Sequence, residues 1–242
     1  MYRHVLLASF LLLSWCQAQA APADDIVFIA PTNHTLPLAD FDAGGVLRGG
    51  ILRDLGDAIA ARLGRAARFV PMPSKRVVAA LETGRADGVC YVLPQWIAGQ
   101  FRWSRPLIPN AGVVAAAADA PELSGLEALA DIPLGTVIGY RYPDFERALG
   151  ERFTRADAPS MLANLHKLAA GRTRYAVVER ATLEYFQRSH PTPPLKVAFE
   201  FSRFDARCAF SPRSRVPFEQ IDAAIDALIE DGSIDRLLAR YR

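Results

Sequence analysis

An α/β fold, a sheet with helices packed on its faces, follows from three features of the sequence. Short apolar, β-branched runs alternate with segments of helical periodicity. Glycines stop those segments just before the next apolar run. The same order then returns in the second half of the chain.

Ile26-Val27-Phe28-Ile29-Ala30 reads as a buried strand closed by Pro31. Ile51, Leu55, Ile59 and Leu63 recur every fourth residue and make one face of a helix that Gly64 ends. Phe69-Val70 is a second short strand. Ser74 is placed to cap a helix carrying Val77, Val78 and Leu81, with Gly84 at its end. Val89 to Val92 is the third strand, which completes a βαβαβ unit. The order resumes with Ser124 and Glu127 as an S-x-x-E capping box, a strand from Leu134 to Ile138, and the segment Gly139-Tyr140-Arg141-Tyr142. Ser160 opens a helix with Met161, Leu162, Leu165 and Leu168; Gly171 ends it, and Tyr175 to Val178 is the next strand. Two amphipathic helices close the chain, one carrying Phe218, Ile221, Ile225, Leu228 and Ile229, the other Ile234, Leu237, Leu238 and Tyr241. "LETGRADGVCYV" from Leu81 and "LAAGRTRYAVVE" from Leu168 echo each other: helix end, Gly, Arg, polar step, buried strand. The echo suggests two lobes of like construction, although any α/β protein repeats helix, Gly and strand.

Arg3 and His4, the apolar run Val5 to Leu13 and the ending Ala18-Gln19-Ala20 read as a cleavable signal peptide over residues 1–20. The alternative is a buried N-terminal helix; the run is too short to span a bilayer. Trp15, before Cys16, occupies the place where a lipoprotein anchor needs a small residue. Cleavage leaves 242 − 20 = 222 residues, with 28 − 1 = 27 Lys plus Arg against 26 Asp plus Glu. So balanced a chain carries no footprint for nucleic acid and no polybasic membrane patch. The hydrophobic content of 51% supports a full core without help from disulfides. Cys90 and Cys208 then remain, and in an oxidising compartment such a pair is expected to bridge, two buried thiols being the alternative. Metal-ligand spacing is lacking, so no metal and no cofactor are expected.

In their order along the chain, several segments resemble the type II periplasmic solute-binding proteins of family 3, the extracellular domains of amino-acid ABC importers. "GGVLRGGILRDLGDAIAARLG", with Asp54 in the signature Asp position, "ALETGRADGV", "FRWSRPL", "LHKLAAGRTRYAVVE" and "AIDALIEDGSIDRLLARY" each match a loose family motif, and with the early strand Ile26 to Ala30 they span nearly all of the mature chain. The resemblance implies a two-lobed, periplasmic-binding-protein-like (type II) α/β fold, each lobe a mixed sheet flanked by helices, joined by two crossover strands near Leu107 to Val113 and Val197 to Ser202. Lobe 1 is expected over 21–109 and 200–242, lobe 2 over 110–199, with the solute between them and closure by a hinge.

In amino-acid binders the segment before F-S-x-P carries T-x-E-R, whose Arg grips the ligand carboxylate. Counted back from Trp103-Ser104-Arg105-Pro106, the Arg position holds Ile97 and the Thr position Pro94. The second-lobe acid expected to meet the ligand ammonium falls on Glu179. Half of that clamp is therefore missing. The candidates to replace it are Tyr91, Trp96 in its Pro-Gln-Trp turn, Tyr140, Arg141 and Tyr142 after a second-lobe strand, Arg76 at a helix start, and His34 in the loop after the first strand. Trp103 is expected in the core. Trp96 and Arg141 could equally be surface side chains, and Tyr91 and Cys90 alternate along one strand, so at most one should face the cleft. Rings with few arginines suit a planar or ring-bearing solute, or a cation held against rings beside Glu179.

The reading is a periplasmic solute-binding protein, not an enzyme. It would be a monomer that captures a small polar or aromatic, amino-acid-like solute for an inner-membrane ABC permease or a sensor. The alternative is an enzyme on the same fold resembling cyclohexadienyl dehydratases, with Glu179 or Glu184 in acid chemistry; against it, Ile97 again stands where the substrate-carboxylate Arg belongs. No nucleophile–base pair and no Gly-x-Ser-x-Gly motif appear. A third possibility is an interaction protein whose cleft is vestigial.

Overall fold

A computed structural model describes residues 25–242, so the expected signal peptide and Cys16 lie outside the described residues. The first half begins with β1 (Ile26–Pro31), followed by the hairpin β2 (Asp40–Phe41) and β3 (Leu47–Gly49), helix α1 (Ile51–Arg62) and β4 (Ala67–Met72). Helix α2 (Val77–Glu82), β5 (Gly88–Val92) and the short β6 (Arg102–Trp103) complete it. The long β7 (Ile108–Ala117) leads into the second half: β8 (Leu134–Val137), α3 (Pro143–Leu149), β9 (Arg155–Ala158), α4 (Met161–Ala169), β10 (Tyr175–Glu179) and α5 (Arg180–Ser189). The 16-residue β11 (Leu195–Phe210) returns, and α6 (Phe218–Glu230) and α7 (Ser233–Ala239) end the chain.

The nine-stranded sheet runs β4-β1-β5-β11-β7-β10-β8-β9, with β6 beside β11. Two parallel triplets of the same construction, β4-β1-β5 and β9-β8-β10, stand at its ends. Between them β7 and β11 are antiparallel to each other; β7 also pairs with β10, and the last residues of β11 pair with β5. Helices cover both faces of each triplet. In the first half α1, α6 and α7 bury Leu55, Ile225 and Leu237 on one face, and α2 buries Val77 and Leu81 on the other. In the second half α4 and α5 bury Leu165 and Phe186 on one face, and α3 buries Phe145 on the other.

The expected strands and most of the expected helices are present. The echoed segments take one turn: Gly84 and Gly171 have φ of 69° and 67°. Gly84 and Arg85 N–H donate to Leu81 and Ala80 carbonyls, as Gly171 and Arg172 donate to Leu168 and Lys167. Ser160 caps α4, accepting from Ala163 N–H. Two expected caps are absent. Ser74 makes no side-chain cap, because a single 3₁₀ turn from Ser74 to Arg76 precedes α2; its N–H donates instead to Asn33 Oδ1 at 2.8 Å. Ser124 and Glu127 form no capping box, since only a 3₁₀ turn (Leu126–Leu129) follows Gly125.

Several motif residues hold the frame. Asp54 accepts from Tyr241 Oη and Arg240 Nη2, tying α1 to the C-terminus. Buried Asp87 accepts from Val27 N–H and Ser214 Oγ. Ser104 Oγ accepts from Cys208 N–H. Trp103 packs against the α2 cluster, and Cys90 and Cys208 are joined in a disulfide between β5 and β11.

Candidate functional site

Where β7 and β11 pass between the triplets, a cleft of about 330 Å³ opens. It is lined from the first half by the loop after β1, the start of α2 and the segment after β5, and from the second by the segment after β8 and the end of β10. His34, Tyr91, Trp96, Tyr140, Arg141, Tyr142 and Glu179 all line it, so the fold gathers seven of the eight expected positions. Arg76 is the exception: it sits exposed on the 3₁₀ turn before α2 and is outside the lining, while Ser74 and Val77 on either side of it reach the cleft. A 3₁₀ turn places neighbours about 120° apart, and Arg76 takes the solvent side.

Tyr91 enters through a break in β5. Cys90 pairs with Cys208 and Val92 with Arg207, consecutive partners on β11, so Tyr91 is the extra residue of a bulge and takes φ 64°. A left-handed backbone at a bulky residue costs about 1–2 kcal/mol and is a device that re-aims a side chain beside a site. Strict alternation therefore does not govern this strand, although of the pair only Tyr91 lines the cleft. Its hydroxyl accepts from Asn110 Nδ2 at 2.6 Å, and Asn110 Oδ1 in turn accepts from the N–H of Ala111 and of Ala181.

The rings form a continuous wall. Tyr91 lies 5.5 Å from His34 and 6.2 Å from both Trp96 and Phe204, and Trp96 meets Phe204 edge-on at 5.1 Å. Tyr140 continues the wall 6.0 Å from His34, and its hydroxyl lies 3.0 Å from His34 Nδ1. Tyr142 is more deeply placed: its hydroxyl accepts from Val137 N–H at 2.8 Å and the Arg155 guanidinium covers its ring, so it supports the wall from behind. Burial lowers the His34 pKa to about 4, which leaves the ring neutral, and raises those of the three tyrosines well above the ordinary phenol value.

Glu179 is the buried acid of the cleft. It ends β10, is 8% exposed, and its Oε2 has no hydrogen-bond partner. Burial raises its pKa to about 7, offset only by its own backbone N–H. The adjacent Arg180 is turned away, paired with Glu200 at 2.9 Å. The cations of the lining, Arg141, Arg147 and Arg203, lie at the mouth. Arg203 is paired with Glu200 and its side chain is 83% exposed; Arg147 sits beside Asp144; Arg141 is exposed. Ile97, in the lining, packs its other side against the α2 cluster.

Three contributors escaped the sequence reading. Asn33, buried beside His34, donates through Nδ2 to the carbonyls of Ile138 and Pro159, and its own carbonyl accepts from Met161 N–H, so it ties the two halves at the cleft. Phe204 adds a ring from β11. Gly112 on β7 lets the Phe201 ring and Ser202 Oγ approach: an added Cβ would lie 2.4 and 2.6 Å from them. Asn33 was signalled by its place in the same strand-end loop as His34. The other two depend on the register of β7 against β11, which no local pattern carries.

Comparison with known proteins adds the following. The pattern of the bacterial extracellular solute-binding proteins, family 3, matches residues 32–242. No curated protein matches the chain. Among solved structures, an ancestral arginine-binding protein bound to arginine is 20% identical, with a TM-score of 0.77 over 90% of this chain and 97% of that one. A histidine kinase sensor domain with similarity to periplasmic binding proteins is 21% identical (TM-score 0.75; 90% and 95%). The ancestral amino acid-binding protein AncCDT-1, a precursor of cyclohexadienyl dehydratase, is 17% identical (TM-score 0.74; 90% and 94%). At such identities the likeness is one of fold. Among the described residues no helix is long and apolar enough to cross a membrane.

Proposed function

Because the chain belongs to the bacterial extracellular solute-binding proteins of family 3, we propose that it is exported by the peptide at 1–20 and captures one small amino-acid-like solute in the periplasm. Lobe 1 (21–109 and 200–242) and lobe 2 (110–199) close on the solute about the crossover strands β7 and β11. His34, Tyr91, Trp96, Tyr140 and Glu179 contact it, Tyr142 backs the wall, and Arg141 guards the mouth. The loaded monomer is then read by an inner-membrane ABC permease or by a sensor, and no bond is made or broken. The observation that carries this reading is Glu179 Oε2, buried without a partner in a ring-lined cleft. A buried carboxylate left unpaired is costly, and a solute that pairs with it recovers that cost on binding.

Thermal denaturation with pooled amino acids, amines, aromatic acids and sugars tests the reading. A ligand at 100 times its Kd stabilises by about 2.7 kcal/mol, a shift of about 5–10 °C in Tm for a chain of this size. A panel in which no compound moves Tm counts against solute capture. One observation favours a second reading: a carboxyl held near pKa 7 can serve as a general acid at neutral pH, as a cyclohexadienyl-dehydratase-like enzyme would need. Decarboxylative dehydration of prephenate or arogenate, followed by absorbance and lost in Glu179→Gln, would establish that reading in place of the first.

A further inference from the structure

Resting on the reading of the cleft as a solute site, we infer that its solute is a compact organic cation without a carboxylate, its ammonium or guanidinium head against Glu179 and its body between the rings of Tyr91, Trp96, Phe204 and Tyr140.

Charge comes first. Among the described residues the cleft interior presents one unmatched carboxylate oxygen and no cation to meet it: Arg180 is engaged by Glu200, and the lining arginines stand at the mouth beside their own acids or in solvent. A second carboxylate brought in by an amino-acid zwitterion would sit within a few ångströms of Glu179. Like charges so close in a dry site oppose each other's ionisation. The first-half position that would hold a guanidinium for it is Ile97, whose apolar side chain is set against the α2 cluster. His34 offers no charge either, since burial keeps it neutral.

The rings supply the second argument. Each tyrosine oxygen is already anchored: Tyr91 Oη and Tyr142 Oη accept from Asn110 Nδ2 and Val137 N–H, and Tyr140 Oη lies 3.0 Å from His34 Nδ1. Ring faces turned to the cleft carry the negative side of the aromatic quadrupole and attract a cation. Aromatic walls closed by one acid recognise a positive head by charge and by π-face, with little need of directional donors. Size is the third argument. The cleft, at about 330 Å³, is at the small end of ligand sites, enough for one ring or a short chain.

Matched pairs differing by one carboxylate provide the test: tyramine against tyrosine, agmatine against arginine, and phenethylamine against phenylalanine, with choline as a fixed cation, measured by titration calorimetry on the mature chain. The expected result is that at least one amine, or choline, binds, and any binding amine does so at least about tenfold more tightly than its amino acid, a ratio worth ~1.4 kcal/mol. Glu179→Gln should then abolish that binding while raising, not lowering, the melting temperature of the free protein. If the amino acids bind as tightly as their amines, or if only neutral or anionic solutes bind, the cation inference is overturned and solute capture stands. If neither these compounds nor the wider panel bind, both readings fall.

Discussion

The hydroxyl of Tyr140 lies 3.0 Å from Nδ1 of His34, and this contact joins the segment after β8 to the loop after β1 across the cleft. Asn33, one residue away, adds bonds to Ile138, Pro159 and Met161, so one short loop carries the polar latch between the halves. Asn33→Ala removes two donated bonds across the cleft and the Oδ1 acceptor of Ser74 N–H. At a net ~1 kcal/mol for each bond, the closed arrangement should weaken enough for solute affinity to drop about tenfold or more. Small-angle scattering of the ligand-free variant should show a larger radius of gyration. Unchanged scattering together with unchanged affinity would remove Asn33 from the closing mechanism.

The two buried titratable groups of the cleft give opposite pH signatures. Glu179, raised to about 7, holds a proton in the folded state that the unfolded chain releases near 4.5, so its contribution is present below 4.5 and is lost as pH rises through about 7. His34, lowered to about 4, stays neutral where the unfolded chain protonates, so its contribution is present above 6.5 and is lost as pH falls through about 4. Each effect is on the order of 3 kcal/mol, and between 4.5 and 6.5 they oppose each other. Relative to wild type, Glu179→Gln should become progressively more stable from pH 4.5 to 7, and His34→Gln progressively less stable from pH 4 to 6.5. Urea denaturation at pH 4, 5, 6, 7 and 8 reads both slopes. Two difference curves that stay flat would mean that neither group is buried as described.

The same titration bears on the solute. The phenols of Tyr91, Tyr140 and Tyr142 face Glu179 and stay neutral, as His34 does above about pH 4, so of these five cleft groups it is Glu179 that changes charge between pH 5 and 8. A cation should bind roughly tenfold more tightly at pH 8 than at pH 6, because one unit of protonation must be undone at the lower pH. Calorimetry in two buffers of different ionisation enthalpy should then show about one proton released per solute at pH 6. Affinity that is constant over this range would place the bound charge elsewhere.

How far these features are legible in the sequence differs by type. The parallel triplets are written in local pattern: apolar runs such as Ile26 to Ala30 and glycines at left-handed helix ends, Gly84 and Gly171, need no partner to be recognised. Helix α3 escaped notice although Pro143 at its first turn is a start signal. Helix α5 has helical periodicity, with Thr182, Leu183 and Phe186 buried, but it follows β10 directly with no side-chain cap to mark its start. At the site, the family motif singled out Glu179, and residue type singled out Tyr91, Trp96, Tyr140 and Tyr142 but not Phe204. Arg76 failed because its direction depends on the three-residue 3₁₀ turn Ser74–Arg76 that precedes α2. The bulge that aims Tyr91, and the approach of Phe201 to Gly112, depend on pairings with β11, more than eighty residues away.

That approach can be tested directly. Gly112 pairs with Ser202 and Glu179, and a methyl group there would meet the Phe201 ring at 2.4 Å. Gly112→Ala must push Phe201 and Ser202 aside where both line the cleft. Overpacking of this kind costs about 1–3 kcal/mol and narrows the site. Denaturant midpoint and solute affinity should both fall, and Phe201→Leu in the same chain should restore part of each. A Gly112→Ala protein with wild-type stability would show that the crossover strands yield freely at this point.

The Cys90–Cys208 bridge should be felt at a distance from the solute. It closes a loop with a sequence separation of 118 and joins β5 to β11 next to the bulged Tyr91. In the chain-entropy account a loop of that length is worth about 4–5 kcal/mol, with measured native bridges near 2–5. Cys90→Ala with Cys208→Ala, or reduction of the wild type, should therefore lower the unfolding free energy by about 2–5 kcal/mol, seen as a lower urea midpoint. The bridge also braces the two strands that hold Tyr91 in its left-handed backbone. Its loss lets β5 relax toward regular pairing and swing the Tyr91 ring out of the cleft, so solute affinity should fall as well, even at temperatures where the reduced protein is fully folded. Tyr91→Gly, which takes the same backbone without strain but has no ring, separates the two effects: it should lose affinity with the bridge intact and show little further loss on reduction. If reduction leaves both the urea midpoint and the affinity unchanged, the bridge braces neither the fold nor the wall.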